Sequence, residues 1–224
     1  MTEKSKIRPM PWPATHVLVA ETAYPLYFKH LDHQSFIIGT CYPDIRYPAQ
    51  IDRDLTHIHN VSIEEMQTRT GFRAGLLFHT YVDDFWNDYI TPHKRELYNI
   101  VPKHRPTFHT LKILQDRYLY DQLDTWSQIV ADLEIILPEE LTFGASEQAV
   151  RDWHTMLEGY LIKPPQKSDL EMLSLTLPPD MVEDIHEFYT SFQGVPFLDN
   201  LLVQFYPEIK AHLESVSVSA INLS

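Results

Sequence analysis

His79 and Asp83 stand four residues apart in His79-Thr80-Tyr81-Val82-Asp83. On an α-helix that spacing offsets two side chains by about 40° around the axis and one turn along it, so the imidazole and the carboxylate leave the same face. Leu76, Tyr81, Val82 and Trp86 make that face apolar. A histidine and an aspartate turned into a core must be paired, hydrogen-bonded or metal-bound, because burying them bare is costly. A plain His–Asp hydrogen bond inside a helix bundle is one solution. Other groups point to a second one. Asp44 follows Pro43 at the end of an apolar segment, His57 sits in Leu55-Thr56-His57-Ile58-His59, and His16 opens the first periodic stretch in Pro13-Ala14-Thr15-His16. Two carboxylates and three imidazoles on separate elements, each beside apolar residues, have the composition of a zinc or mixed nitrogen/oxygen metal site. Such a site needs no thiolate, and Cys41 reads as a small buried residue.

The elements that must position these groups are helical. The chain has 224 residues, 44% of them apolar and only 6 glycines, which disfavours a β-sandwich with its frequent turns. A 12% aromatic content and a single cysteine exclude a disordered chain and a disulfide scaffold. A net charge of −13 makes nucleic acid an unfavourable partner. No apolar run approaches the length of a membrane span, and the lysine-bearing start lacks the apolar core of a secretory signal. These features, with one unpaired cysteine, lead us to expect a cytoplasmic protein.

Residues 1–13 read as an N-terminal extension and 14–224 as one all-α domain, of about seven to nine helices. Thr15 is the candidate N-cap of a helix carrying Val17, Leu18, Ala20, Ala23, Tyr24, Tyr27 and Phe28, with Pro25 as a kink. Residues 46–60 read as a loop, and Ser62 with Glu65 has capping-box spacing. Helices are expected over 71–89, 106–123, 125–137, 146–161, 178–192 and 200–215, the last fraying into a serine-rich end. The proline-rich stretch 163–179 is the most plausible boundary if the chain is divided.

The ordered set His16, Gly39-x-x-x-Pro43-Asp44-Ile45, Thr56-His57 and Gly75-x-x-x-His79-x-x-x-Asp83-x-x-Trp86 resembles the zinc-dependent phospholipase C family, which shares its all-α fold with the S1/P1 nucleases. The matching stretch runs from about residue 10 to about residue 95, less than half of the chain. The resemblance implies that Asp44, His57, His79 and Asp83 hold one zinc, with Asp83 bridging to a neighbouring metal for which His16 is a ligand. In the family that neighbouring site also uses an N-terminal Trp, whereas Trp12 is internal here. The family's remaining metal takes two histidines and an acid further along, for which His93, His109 and Asp116 are the best match. His154 and Glu158 are the rival pair, read more simply as an exposed intrahelical contact. One to three zinc ions are therefore expected, with Asp44 and Asp83 as catalytic carboxylates as well as ligands.

Zinc so held implies hydrolysis of a phosphodiester, with a small-molecule or lipid substrate, since metal ions make water nucleophilic at neutral pH and neutralise phosphoryl charge. Phe36, Tyr42, Tyr47 and Phe85 are candidates for an apolar rim. Asp52, Asp54 and Asp84 read as solvated. A nuclease of the S1/P1 type would want aromatic platforms and basic residues, and Lys94-Arg95 and Lys103-His104-Arg105 are modest ones. A phosphohydrolase of the HD superfamily is disfavoured, because the chain contains no His-Asp dipeptide. A non-catalytic helical protein that binds a metal or a partner is the reading from another class. His30, His33, His104, His186 and His212 read as solvated, and His59 as a neighbour of the site.

Overall fold

In the computed structural model, residues 13–169 and 179–221 are described, and they form one all-α domain with no strand among them. The N-terminal extension lies outside the described residues apart from Pro13, as does most of the second half of the proline-rich stretch. Among the described residues no helix is long and apolar enough to cross a membrane.

Helix α1 spans Pro13–Ala23 and continues as a wider π-helical turn, Tyr24–Phe28, where Pro25 lacks the N–H that a regular helix would use. Thr15 is not its cap. The helix starts at Pro13, and its first free N–H groups, on Ala14 and Thr15, donate to Asp116 far along the chain, at 3.2 and 2.7 Å. Helix α2, His33–Cys41, is capped by Asp32, whose carboxylate accepts from the Ser35 N–H at 2.8 Å. Residues 46–60, expected as a loop, contain two single helical turns, Arg46–Ala49 and Arg53–Thr56, which follow a 3-10 turn at Pro43–Ile45. Ser62 caps a further short turn by accepting from the Glu65 N–H at 3.2 Å, while the Glu65 carboxylate turns away to Arg69.

Helix α3, Gly71–Ile90, is the central element and is capped by Thr70. It packs most closely on α2. A Cβ added to Gly75 would fall inside the Phe36 carbonyl, and one on Gly39 inside that of Phe72. Only glycine permits so close an approach of the two backbones. Helix α4, Arg105–Leu119, lies against α1 and against two later helices, α6 (Pro179–Phe192) and α7 (Pro196–Ile221). Between them α5, Glu147–Leu161, starts at the Ser146 cap. Helix α7 begins earlier and ends later than periodicity suggests, and it takes Pro207 into its interior.

The core is continuous, with Phe28, Phe36, Phe72, Phe78, Trp86, Leu114, Leu157 and Phe205 all buried. At about 25 cal/mol per Å² of apolar surface removed from water, each of these rings or branched chains contributes on the order of 2 kcal/mol. Set into this apolar interior are His16, His57, His79, Asp83 and Lys112, each 3% exposed or less. The helices that supply the core thus enclose a polar cluster that must be satisfied from within.

Candidate metal centre

The glycine contact between α2 and α3 has a direct chemical result. It brings the Thr40 carbonyl, one turn beyond Phe36, to 2.9 Å from His79 Nδ1. A carbonyl only accepts, so Nδ1 carries the proton, and in the neutral ring Nε2 presents a lone pair. Burial keeps the ring neutral by pushing its pKa down to about 3. His79 Nε2 makes no hydrogen bond among the described residues.

Three side chains share the space in front of that lone pair. His57, at the end of the Arg53–Thr56 turn, has Nδ1 at 2.9 Å from Thr56 Oγ1 and directs Nε2 toward Asp44 Oδ1 at 3.6 Å and Asp83 Oδ2 at 3.9 Å. His79 Nε2 is 3.9 Å from both Asp44 Oδ1 and Asp83 Oδ2. Asp44 is held in place through its neighbours. The Trp153 indole donates to the Cys41 carbonyl at 3.2 Å, and the Tyr42 hydroxyl donates to the Glu140 carbonyl at 2.5 Å. His16, from α1, stacks on His79 with ring centroids 3.8 Å apart and planes inclined by 4°, and its Nε2 is 3.7 Å from Asp83 Oδ1.

These separations are too long for hydrogen bonds and too short for indifference. Hydrogen-bonded donors and acceptors meet at about 2.7–3.2 Å. Ligand atoms that each sit about 2.0–2.2 Å from one ion stand roughly 3–4 Å from each other. Among the described residues, the His, Cys, Asp and Glu groups that converge in this way are His16–His79–Asp83 and Asp44–His57–His79. Both could hold a metal ion.

Burial biases Asp44, His57, His79 and Asp83 toward their neutral forms. It raises Asp44 to about 6 and Asp83 to about 8, the latter opposed by the Lys112 charge, and it drives His57 far below the usual imidazole range. A cation at the centre would reverse the bias on the carboxylates, which is the electrostatic signature of a ligand set.

The five residues Asp44, His57, His79, Asp83 and His16 are thus brought together. The second predicted set is not. His93 lies half-buried on a 3-10 turn, its ring 5.8 Å from that of Tyr89, and His109 is buried on α4; neither belongs to a converging group. Asp116 has another task. Its carboxylate accepts from the Ala14 and Thr15 N–H groups, from Thr15 Oγ1 at 2.5 Å and from the Tyr160 hydroxyl at 3.1 Å, so it caps α1 across the fold. His154 is no exposed intrahelical partner of Glu158. It is buried, with Nδ1 at 2.8 Å from the Leu133 carbonyl and Nε2 at 2.7 Å from Glu140 Oε1.

Of the expected rim, Phe36 and Tyr42 are fully buried and Phe85 packs on Phe205 and His212. Tyr47 lies under the Arg46 guanidinium, 3.9 Å from its ring centre. The apolar surface nearest the cluster in sequence is instead Leu55 and Ile58, 52% and 42% exposed on either side of Thr56-His57. His59 joins Asp84 at 2.9 Å, so Asp84 faces away from the centre.

One member was not foreseen. Lys112 on α4 is fully buried, its Nζ 3.8 Å from Asp83 Oδ1 and 4.4 Å from the centre of the Trp86 ring. Its signal in the sequence is a charge lodged in the apolar run Leu111-Lys112-Ile113-Leu114. Asp44, whose side chain is 18% exposed, is the one member open to solvent, and the Arg46 and Arg53 charges act on it. Comparison of the chain with protein-family models, with curated proteins and with solved structures finds no match.

Proposed function

We propose that the protein is a zinc-dependent phosphoesterase of the phospholipase C type, hydrolysing a small-molecule or lipid phosphodiester. The observation that carries this reading is the donor set Asp44 Oδ1, His57 Nε2, His79 Nε2 and Asp83 Oδ2, with neighbouring atoms 3.6–3.9 Å apart. Imidazole and carboxylate in this ratio suit zinc, and the absence of a thiolate from the set is no obstacle.

When bound, zinc supplies a Lewis acid that polarises a phosphoryl oxygen and makes water nucleophilic at neutral pH. The protein's own residues do the rest. The Thr40 carbonyl fixes the His79 tautomer, so that its lone pair is aimed before any ligand arrives. Asp44 is both a ligand and the doorway, since the other members are buried. Arg46 and Arg53, whose charges reach Asp44, draw an anionic group toward that doorway in a protein that is otherwise strongly acidic. Leu55 and Ile58, exposed on either side of Thr56-His57 in the sequence, offer apolar surface that suits a substrate with an acyl or other apolar portion better than a bare nucleic-acid strand.

The test is zinc analysis of the purified chain, with a panel of chromogenic phosphodiester and phosphocholine substrates. Bound zinc is expected, with hydrolysis that chelation removes and added zinc restores. A folded chain that binds no zinc overturns the reading. Tight zinc with no hydrolysis of any phosphodiester favours a non-catalytic metal-binding protein instead.

A further inference from the structure

Asp83 has two oxygens, and the fold treats them differently. Oδ2 faces His57 and His79, both at 3.9 Å. Oδ1 faces His16 at 3.7 Å and Lys112 at 3.8 Å. His79 has only Nε2 to give, since Nδ1 is committed to Thr40, so it cannot serve two ions at once. A second ion next to Asp83 would have to bind on the Oδ1 side, which is where the ammonium stands.

Lys112 is built into that place. Its Nζ makes no hydrogen bond among the described residues and is fully buried. It lies over the Trp86 ring, a face that attracts a cation. The ring is itself held, with the indole N–H donating to Gln115 Oε1 at 2.7 Å and the Gln115 amide donating to the Leu202 carbonyl at 3.3 Å. A support running from α7 through α4 to α3 therefore fixes the Lys112 amino group opposite the proposed zinc, where burial pulls its pKa down to about 7 and the charges of Asp83, Asp44 and Asp116 favour its ammonium form. A divalent ion close to an ammonium in a water-poor interior is strongly repelled.

We propose that Lys112 is the second cation of this site: the centre takes one divalent ion, between Asp44, His57, His79 and Asp83 Oδ2, while the lysine ammonium neutralises Asp83 Oδ1 in the place a second ion would occupy. His16, stacked on His79, then serves as a wall and as a partner for Oδ1. The inference rests on the metal reading above but fails separately from it.

The experiment is the zinc stoichiometry and affinity of the metal-free full chain, titrated with zinc alone, for the wild type, Lys112→Met and Lys112→Glu. One zinc per wild-type chain is expected. Lys112→Glu, which places a third ligand beside His16 and Asp83, should bind two, and Lys112→Met should bind one at least tenfold more tightly. A wild type that binds two equivalents overturns the inference and leaves the metal reading intact, whereas a wild type that binds none overturns both. A Lys112→Glu chain of unchanged helical circular dichroism that binds only one zinc also overturns it. Should Lys112→Glu lose its helical signal, Lys112→Met decides, and an affinity equal to or weaker than the wild type's rejects the lysine's role.

Discussion

Asp83 and Asp116 are both buried aspartates on inward faces of long helices, and their surroundings are opposite. Asp116 accepts from four donors, two of them backbone N–H groups at the start of α1. Asp83 Oδ1 has no hydrogen bond among the described residues, and Oδ2 confronts two histidine nitrogens at a distance no hydrogen bond spans. His154 and His79 repeat the contrast. Both ring nitrogens of His154 are satisfied by the protein, whereas His79 has Nδ1 satisfied and Nε2 without a hydrogen bond among the described residues. The difference separates polar groups that complete the fold from polar groups that could hold an ion. Burial alone does not, since all four residues are buried.

The contrast is broken most severely by exchanging the two kinds of site. His79→Ala or Asp83→Ala should abolish zinc binding, a loss of more than about 100-fold measured by titration. Asp116→Ala should leave the zinc ligands in place and instead cost about 3 kcal/mol in denaturant unfolding, because the donors at Ala14, Thr15 and Tyr160 lose their acceptor. Equal losses of zinc affinity in Asp83→Ala and Asp116→Ala would erase the distinction.

Next in size is Gly75→Ala. Its methyl would collide with the Phe36 carbonyl, so α2 and α3 should separate, lowering stability by about 2 kcal/mol and weakening zinc as His79 loses the Thr40 carbonyl.

A smaller effect concerns pH. At pH 6 the metal-free fold keeps the proton on Asp83, raised to about 8, and part of that on Asp44, raised to about 6, and by pH 8 it has already lost most of these protons, which a bound cation would otherwise displace. Releasing them becomes easier as pH rises, so the increase in melting temperature that zinc produces should be larger at pH 8 than at pH 6. An increase that is flat or falling over that window would contradict the assignment of these carboxylates as ligands. Least of all, His212→Ala, which removes an exposed contact with Tyr81 and Phe85, should change stability by less than about 0.5 kcal/mol and leave zinc affinity untouched.

The helical class and the central pair were legible because periodicity is a local signal. His79 and Asp83 share a face by spacing alone, and the apolar neighbours state that this face is inward. Asp44 and His57 stood out as polar groups embedded in apolar or proline-marked surroundings. What spacing does not encode is the partner across the fold. Asp116 is offered by the resemblance as a metal ligand, and nothing local says that its oxygens cap α1 instead, while His154 finds Glu140 rather than the carboxylate one turn away on its own helix. Lys112 escaped notice for a related reason. A lone lysine in a helix normally reaches past its apolar neighbours to water, and only the tertiary wall of Trp86 and Asp83 holds this one inside.

The cap that Asp116 places on α1 has an effect beyond helix stability. Asp116 sits one turn after Lys112 on α4 and grips the residues just before His16, so the groups facing Asp83 Oδ1 ride on two helices tied to each other. The opposite wall, with Asp44 and His57, is borne by short turns between residues 43 and 57. One half of the chamber is therefore an anvil and the other an exchangeable jaw. Substitutions that reshape the jaw, at Arg46, Arg53, Leu55 or Ile58, offer a route to redirect the choice of ligand while the anvil keeps its alignment.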